Sequence, residues 1–345
     1  MKAIAKARPE PGLQLIDIDE PSVRPGCVKV RIQKGSVCGT DLHIYNWDEW
    51  SSKRIHPPRV VGHEFCGIVT ELGEGVTGHE IGDFIASESH IVCGKCKQCL
   101  AGQGHVCVNT TILGVDVDGG FGAFAVIPAQ NARPVPPSVP REVASMLDAL
   151  GNAVHTVMAT EIEGRSVLIT GMGPIGMFAV AICRALGADK IYATEISGYR
   201  IEMAHRLGAT DVFNPMVENV DERLCKVEPK GVDITLEMSG HPSALNLAVG
   251  HTRPGGHVSL LGVYPDSSER VDFNAIIFKG LTVHGIVGRQ LWKTWEQMSW
   301  LLEEKHLDVM PIITHQMPYT EYDTVFQTMK EGKAGKIVLD FAAQA

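Results

Sequence analysis

The sequence predicts an α/β protein in two parts: an irregular β domain, then a doubly wound parallel sheet with helices on both faces. Three observations predict it. Between about residues 150 and 290, apolar strand-like runs alternate with helical ones. A glycine-rich turn, Gly171-Met172-Gly173-Pro174-Ile175-Gly176, joins one such strand to a helix. Before residue 150 the chain reads as short strands and turns. At 345 residues the chain is too long for one ordinary core, which also favours two domains.

In chain order, "CVKVRIQKGSVC" alternates in part, and "CGIVTELG" and "FGAFAVIP" are strand-like runs closed by Gly or Pro. The second part runs "SVLITG", "PIGMFAVAICRALG", "KIYATEI", "GYRIEMAHRLG", "VDITLEMSG", "HVSLLGV" and "LTVHGIVG", a strand–helix–strand succession. The remainder is helical around "TWEQMSWLLEE" and "YDTVFQTMKEG" and closes with a strand, "GKIVLDF".

Composition narrows the function. Hydrophobic residues make up 44% and charged residues 21%, as in a globular protein, and the net charge of −9 argues against nucleic acid or an anionic membrane as partner. No apolar run reaches transmembrane length, and "MKAIAKARPEPG" lacks a signal-peptide core. Nine cysteines, an odd number with four clustered, suit a reducing compartment, so a cytoplasmic location is expected. Cys27, Cys66, Cys183 and Cys225 fit small core or half-buried positions better than ligand positions.

The clustered four are Cys93, Cys96, Cys99 and Cys107, spaced C-x2-C-x2-C-x7-C. Four thiolates satisfy tetrahedral Zn2+ and leave no open position, which makes this ion structural. An iron–sulfur cluster is the rival, but a ferredoxin-type run needs a shorter last gap and a following Pro, and Val108 follows Cys107. Gly102 and Gly104 are expected to let the loop turn back on the metal.

In the glycine-rich turn, Gly171 permits the bend, Gly173 lets backbone approach a pyrophosphate, and Gly176 lets helix and sheet pack closely. Glu195, nineteen residues after Gly176, ends the next strand and can accept hydrogen bonds from an adenosine ribose while repelling a 2′-phosphate. A solvated loop carboxylate is the bland alternative, and Arg200 nearby is the residue that would suit NADP. The balance favours NAD. A second ligand set consists of Cys38, His63 and Glu64: a thiolate, an imidazole and a carboxylate that can make an open zinc site. Each residue is ordinary alone, and the set gains weight from the cysteine lobe and the nucleotide loop.

With these motifs in this order, the chain resembles the zinc-containing medium-chain alcohol dehydrogenases over essentially its whole length. "GHEFCGIVTELGEGV" is similar to that family's zinc signature, and "CGTDLHIYNWDEW", "GNAVHT", "EMSG", "IIFKGL", "GIVGR", "TWEQM" and "PIITH" resemble a branch that oxidises L-threonine. The resemblance implies a GroES-like irregular β catalytic domain at 1–150, with a structural-zinc lobe at 90–110. It implies an NAD-binding Rossmann domain at 151–292 and a return to the catalytic domain at 293–345. It implies one catalytic zinc on Cys38, His63 and Glu64 (the last the least firmly held), with Asp41 orienting His63. Thr40 and His43 fall at proton-relay positions. Asp148 stands where many relatives have Glu and is assigned to tuning or proton relay. Cofactor contacts are expected at Ile175, Glu195, Arg200, Leu261-Gly262-Val263 and Ile286-Val287, where Val287 replaces an aromatic common in that branch.

The reaction so implied is NAD-dependent oxidation of the secondary alcohol of L-threonine to 2-amino-3-oxobutanoate. Glu88 and His90 in "SESH" are candidates to meet the substrate's ammonium and carboxylate. A zinc polyol or 2,3-butanediol dehydrogenase is the nearest rival. A non-enzymatic dinucleotide-binding protein and a zinc-free quinone reductase are disfavoured by the ligand residues present. A homotetramer is expected, with "LTVHGIVG" pairing with its copy across a two-fold axis.

Overall fold

Ten residues, Cys27–Ser36, form the strand on which the first unit is built. In the computed structural model, which describes residues 1–264 and 270–342, this strand pairs antiparallel with Glu64–Leu72 on one edge. Phe124–Pro128 and Lys336–Asp340 share its other edge. The register sets Ser36 opposite Glu64. Phe84–Ser87, Ala132–Pro134 and Ile313–Pro318 complete a seven-stranded sheet, and Gln14–Asp17, Lys2–Lys6 and Arg59–Val60 form a smaller one. Val28, Val30, Ile32, Phe65, Phe121 and Leu339 are buried in one core here. Each such side chain contributes on the order of 1.5–3 kcal/mol.

The second unit is a parallel sheet in the order Asp211–Phe213, Lys190–Thr194, Ser166–Thr170, Val232–Glu237, Thr252–Leu260, Thr282–Gly285 among the described residues. Its three inner strands Lys190–Thr194, Ser166–Thr170 and Val232–Glu237 are short, apolar and largely buried, as a sheet covered on both faces requires. The chain direction of assembly reverses between Ser166–Thr170 and Val232–Glu237, so the switch-point crevice lies at the carboxyl ends of those two strands. Helix Pro174–Ala185 begins with Pro at its first position and Gly173 as its N-cap. Helix Gly198–Leu207 ends on Gly208 at φ 111°, a left-handed stop. The expected α/β class is what the structure has.

The chain divides into a unit of Met1–Ala149, Gln290–Trp295 and the chain from Ile313 on, and a unit of Leu150–Arg289 and Glu296–Ile312. The expectation that 293–345 returns as a block to the first domain is thus corrected. Most of helix Lys293–Glu303 stays with the second unit, where Met298 and Leu301 are buried. The strand expected from "LTVHGIVG" stops at Gly285, so Ile286 and Val287 lie beyond it. No described helix is long and apolar enough to cross a membrane.

Candidate metal centres and nucleotide site

The cysteine lobe follows from two short strands, His90–Ile91 and Thr111–Ile112, which pair antiparallel and bring the ends of the loop together. Between them the sulfurs of Cys93, Cys96, Cys99 and Cys107 gather within 4.8 Å of one another. Neighbouring pairs stand 3.4 Å (Cys96–Cys99), 3.5 Å (Cys93–Cys107) and 3.7 Å (Cys96–Cys107) apart. Four ligands about 2.3 Å from one tetrahedral zinc would be spaced at nearly this distance. Backbone amides of Cys93 and Asn109 donate to the Cys107 sulfur at 3.4 Å.

The ionisation of the four is divided. The Lys95 amide and the Asn109 side chain hold the Cys93 thiol down to about 6, while burial and the neighbouring thiols push Cys99 up to about 12. Four thiolates this close need a shared cation, and the lobe fits zinc on that ground. Gly102 adopts φ 74° as expected. Gly104 serves otherwise, sitting buried with Leu291 and Val92 side-chain atoms 3.7–3.8 Å from where a Cβ would be.

The second set is brought together by the central sheet. Cys38 caps the helix Gly39–Asn46 just after strand Cys27–Ser36, and Glu64 opens the strand paired with it. Donor atoms of Cys38, His63 and Glu64 lie within 4.8 Å of one another. Asp41, wholly buried, accepts from the Cys38 amide at 2.9 Å, and its other oxygen lies 3.7 Å from His63 Nδ1. Neither of those two facing atoms has a hydrogen-bond partner among the described residues. Burial drives the Asp41 carboxyl up against the pull of His63. Burial also opposes a charge on His63, but Asp41, Cys38 and Glu64 outweigh it and carry the imidazole to about 10. A thiol and two carboxyls around one imidazole make a donor set that suits a cation, so these residues fit a zinc ion.

Glu64 has partners the motifs did not announce. Its Oε2 accepts from Ser36 Oγ and from the buried ammonium of Lys336, and despite burial Lys336 holds the Glu64 carboxyl below its ordinary range. Asp148 stands outside the donor group and accepts from the Ser89 amide at 2.9 Å. Thr40 Oγ1 lies 3.9 Å from the Cys38 sulfur. His43 is largely exposed and hydrogen-bonds Asp48 through Nδ1. Glu88 is wholly buried and accepts from Trp295 Nε1 at 2.8 Å and from the His90 amide at 2.9 Å. That carboxylate ties a loop to an indole, and the expectation that it meets a substrate ammonium is withdrawn. His90 is half-buried, its Nδ1 3.8 Å from Glu88.

In the second unit the glycine-rich turn is built as its spacing predicts. Gly171 sits at φ 84°, and a Cβ on Gly176 would stand 2.0 Å from the Gly171 carbonyl oxygen, so nothing larger than hydrogen fits. A Cβ on Gly173 would meet nothing within 4 Å, and no side chain caps the helix that Ile175 helps begin. The free amides and open space fit a pyrophosphate. Glu195 is buried and already accepts from the amides of Met172 (2.9 Å), Ile196 (2.8 Å) and Ser197 (2.9 Å), which fixes its carboxylate over the turn. Buried Arg200 Nε lacks a partner among the described residues. Leu261 and Gly262 donate their amides to the Glu237 carbonyl, Val263 is 91% exposed, Ile286 is buried and Val287 is half exposed.

Known proteins agree with this arrangement. Residues 24–137 match the model of the alcohol dehydrogenase GroES-like domain, and residues 174–304 that of the zinc-binding dehydrogenases. The L-threonine 3-dehydrogenase of Pyrococcus abyssi is 48% identical over 341 residues, 98% of each chain. An E. coli CFT073 alcohol dehydrogenase solved with NADH superposes with a TM-score of 0.90 at 26% identity, covering 99% of both chains. The 2R,3R-butanediol dehydrogenase of Bacillus subtilis gives 0.89 at 25% identity, covering 98% of this chain and 99% of its own. With two family models meeting the two units, and a relative alike over nearly its whole length, the chain belongs to the zinc-containing medium-chain alcohol dehydrogenase family.

Proposed function

We propose that this protein oxidises the secondary alcohol of L-threonine to 2-amino-3-oxobutanoate with NAD as acceptor. The observation that carries this is the gathering of Cys38, His63 and Glu64 donors in a chain 48% identical to an L-threonine 3-dehydrogenase. When bound, zinc on those residues supplies Lewis acidity to the substrate hydroxyl, and NAD supplies the hydride acceptor. The chain's own residues do the rest. Asp41, 3.7 Å from His63 Nδ1, orients the ring by its charge. Thr40 Oγ1, near the Cys38 sulfur, accepts the substrate's hydroxyl proton as it releases its own, and that proton leaves to solvent by way of His43, which Asp48 holds. Lys336 and Ser36 hold Glu64 in its ionised form within the donor group. Asp148 steadies Ser89 and tunes the charge of the pocket. The amides of the glycine turn bind pyrophosphate, and Glu195 disfavours a 2′-phosphate.

Similarity to a butanediol dehydrogenase keeps an open diol as the second reading, at a much lower identity. Steady-state rates with L-threonine, 2,3-butanediol, sorbitol and xylitol decide between them. L-Threonine with NAD is expected to give kcat/KM at least about tenfold above any diol, and above the same reaction with NADP. A diol ranking first would overturn the substrate assignment.

A homotetramer in the cytoplasm completes the reading. It is supported by nine free cysteines and by an apolar helix face, Phe273, Ile277 and Phe278, each at least 68% exposed, next in sequence to the edge strand Thr282–Gly285. Light scattering is expected to give about four times the 37.4 kDa chain mass. A monomer mass would remove the assembly from the proposal.

A further inference from the structure

Glu237 ends its strand at the switch point, directly beside Thr170 in register. It is wholly buried although its side chain ends in a carboxyl group, and it belongs to none of the expected contact positions. Its Oε1 accepts from Thr170 Oγ1 at 3.2 Å, from Ser239 N at 2.8 Å and Oγ at 2.5 Å, and from Gly240 N at 3.0 Å. Its Oε2 accepts from Tyr264 OH at 2.7 Å. Desolvating a carboxylate so fully is costly unless such donors replace water.

The donors come from three segments that border the crevice. Thr170 precedes the glycine turn, and a Cβ on Gly171 would stand 2.9 Å from Ser239 Cβ, so the turn rests on the loop that Glu237 organises. A Cβ on Gly262 would stand 2.4 Å from Glu237 Oε2 and 2.2 Å from Gly240 N, so the backbone at 262 lies directly on the carboxylate. Tyr264 ties down the far side of that segment. One buried side chain thus joins the glycine turn, the 239–240 loop and the 261–264 segment.

We propose that Glu237 is a positioning residue for the nicotinamide half of NAD, acting through the 239–240 and 261–264 backbone rather than by touching the cofactor. This rests on the nucleotide reading above. The adenosine half meets the separate Glu195 region, whose partners are the Met172, Ile196 and Ser197 amides. A fault at Glu237 should therefore divide the two halves of the ligand. In Glu237→Gln the amide oxygen can keep the four donors that meet Oε1, but it is a weaker acceptor than a carboxylate oxygen, and the NH2 that takes the place of Oε2 forces the Tyr264 hydroxyl to turn from donor to acceptor.

The test is direct binding of NADH by fluorescence and of AMP by calorimetry, on zinc-loaded wild type, Glu237→Gln and Tyr264→Phe. Glu237→Gln is expected to weaken NADH at least about tenfold and leave AMP within about twofold; Tyr264→Phe is expected to weaken NADH about threefold. If Glu237→Gln does not fold, Thr170→Val and Tyr264→Phe carry the test, each removing one hydroxyl donor. Equal weakening of NADH and AMP, or no weakening of NADH in any variant, overturns the proposal. Wild type that binds neither ligand would instead defeat the nucleotide reading itself.

Discussion

His63→Ala is expected to lower kcat/KM for L-threonine by at least about a thousandfold, with bound zinc falling from two ions per chain to one. His63 is the imidazole of a set whose other members are a thiol and a carboxyl, and the three donor atoms lie within 4.8 Å. Removing it leaves Asp41 buried against an empty side, with a carboxyl that burial already drives upward. Elemental analysis with kinetics and circular dichroism on one sample reads the outcome. The native spectrum should persist, because the strands on either side are held by the sheet and not by the metal. Full activity with a single zinc would mean that these residues do not form the reactive centre.

Cys96→Ser should have the opposite signature. Loss of the lobe zinc is expected to lower Tm by about 10 °C, while folded molecules keep kcat within about tenfold of wild type. Cys96 lies 3.4 Å from Cys99 and 3.7 Å from Cys107, and its sulfur also accepts from the Cys99 amide at 3.5 Å. Without the cation the remaining thiols take back protons and the loop between His90–Ile91 and Thr111–Ile112 loses its cross-link. Calorimetry with zinc counting reads it. An unchanged Tm with one zinc lost would show that the lobe does not depend on its metal. The two variants together separate an ion that serves chemistry from one that serves folding.

What could be read in the sequence was what short spacing dictates. The cysteine lobe spans fifteen residues, the glycine turn six, and the alternation of strands and helices is a local periodicity. Cys38, His63 and Glu64 were readable as a set from their residue types in company with the cysteine lobe and the nucleotide loop, a set the family resemblance then supported, since no periodicity joins residue 38 to residue 63. The partners of those residues were not readable. Lys336 reaches Glu64 across 272 positions, and Trp295 reaches Glu88 across 207. A lysine in "GKIVLDF" and a tryptophan in "TWEQM" carry no local mark of such a role. The Glu88 error has the same source: a charged residue in a polar string reads as open to ligand, and only the fold reveals the indole that covers it. The misplaced boundary at 293 arose because an amphipathic helix does not specify which core its buried face joins.

The first unit draws its strands from both sides of the second. Lys336–Asp340 lies within its sheet, between Cys27–Ser36 and Ile313–Pro318. On the ribosome, therefore, the earlier-born unit waits: residues 150–289 can close around their own parallel sheet while the neighbouring sheet still lacks its later members. Glu64 meets its ammonium counterpart only after some 270 further residues have emerged. Zinc loading of the reactive set is thus expected to be among the last events of biogenesis, and a nascent chain halted before residue 313 should carry a formed nucleotide fold but an unfinished metal pocket.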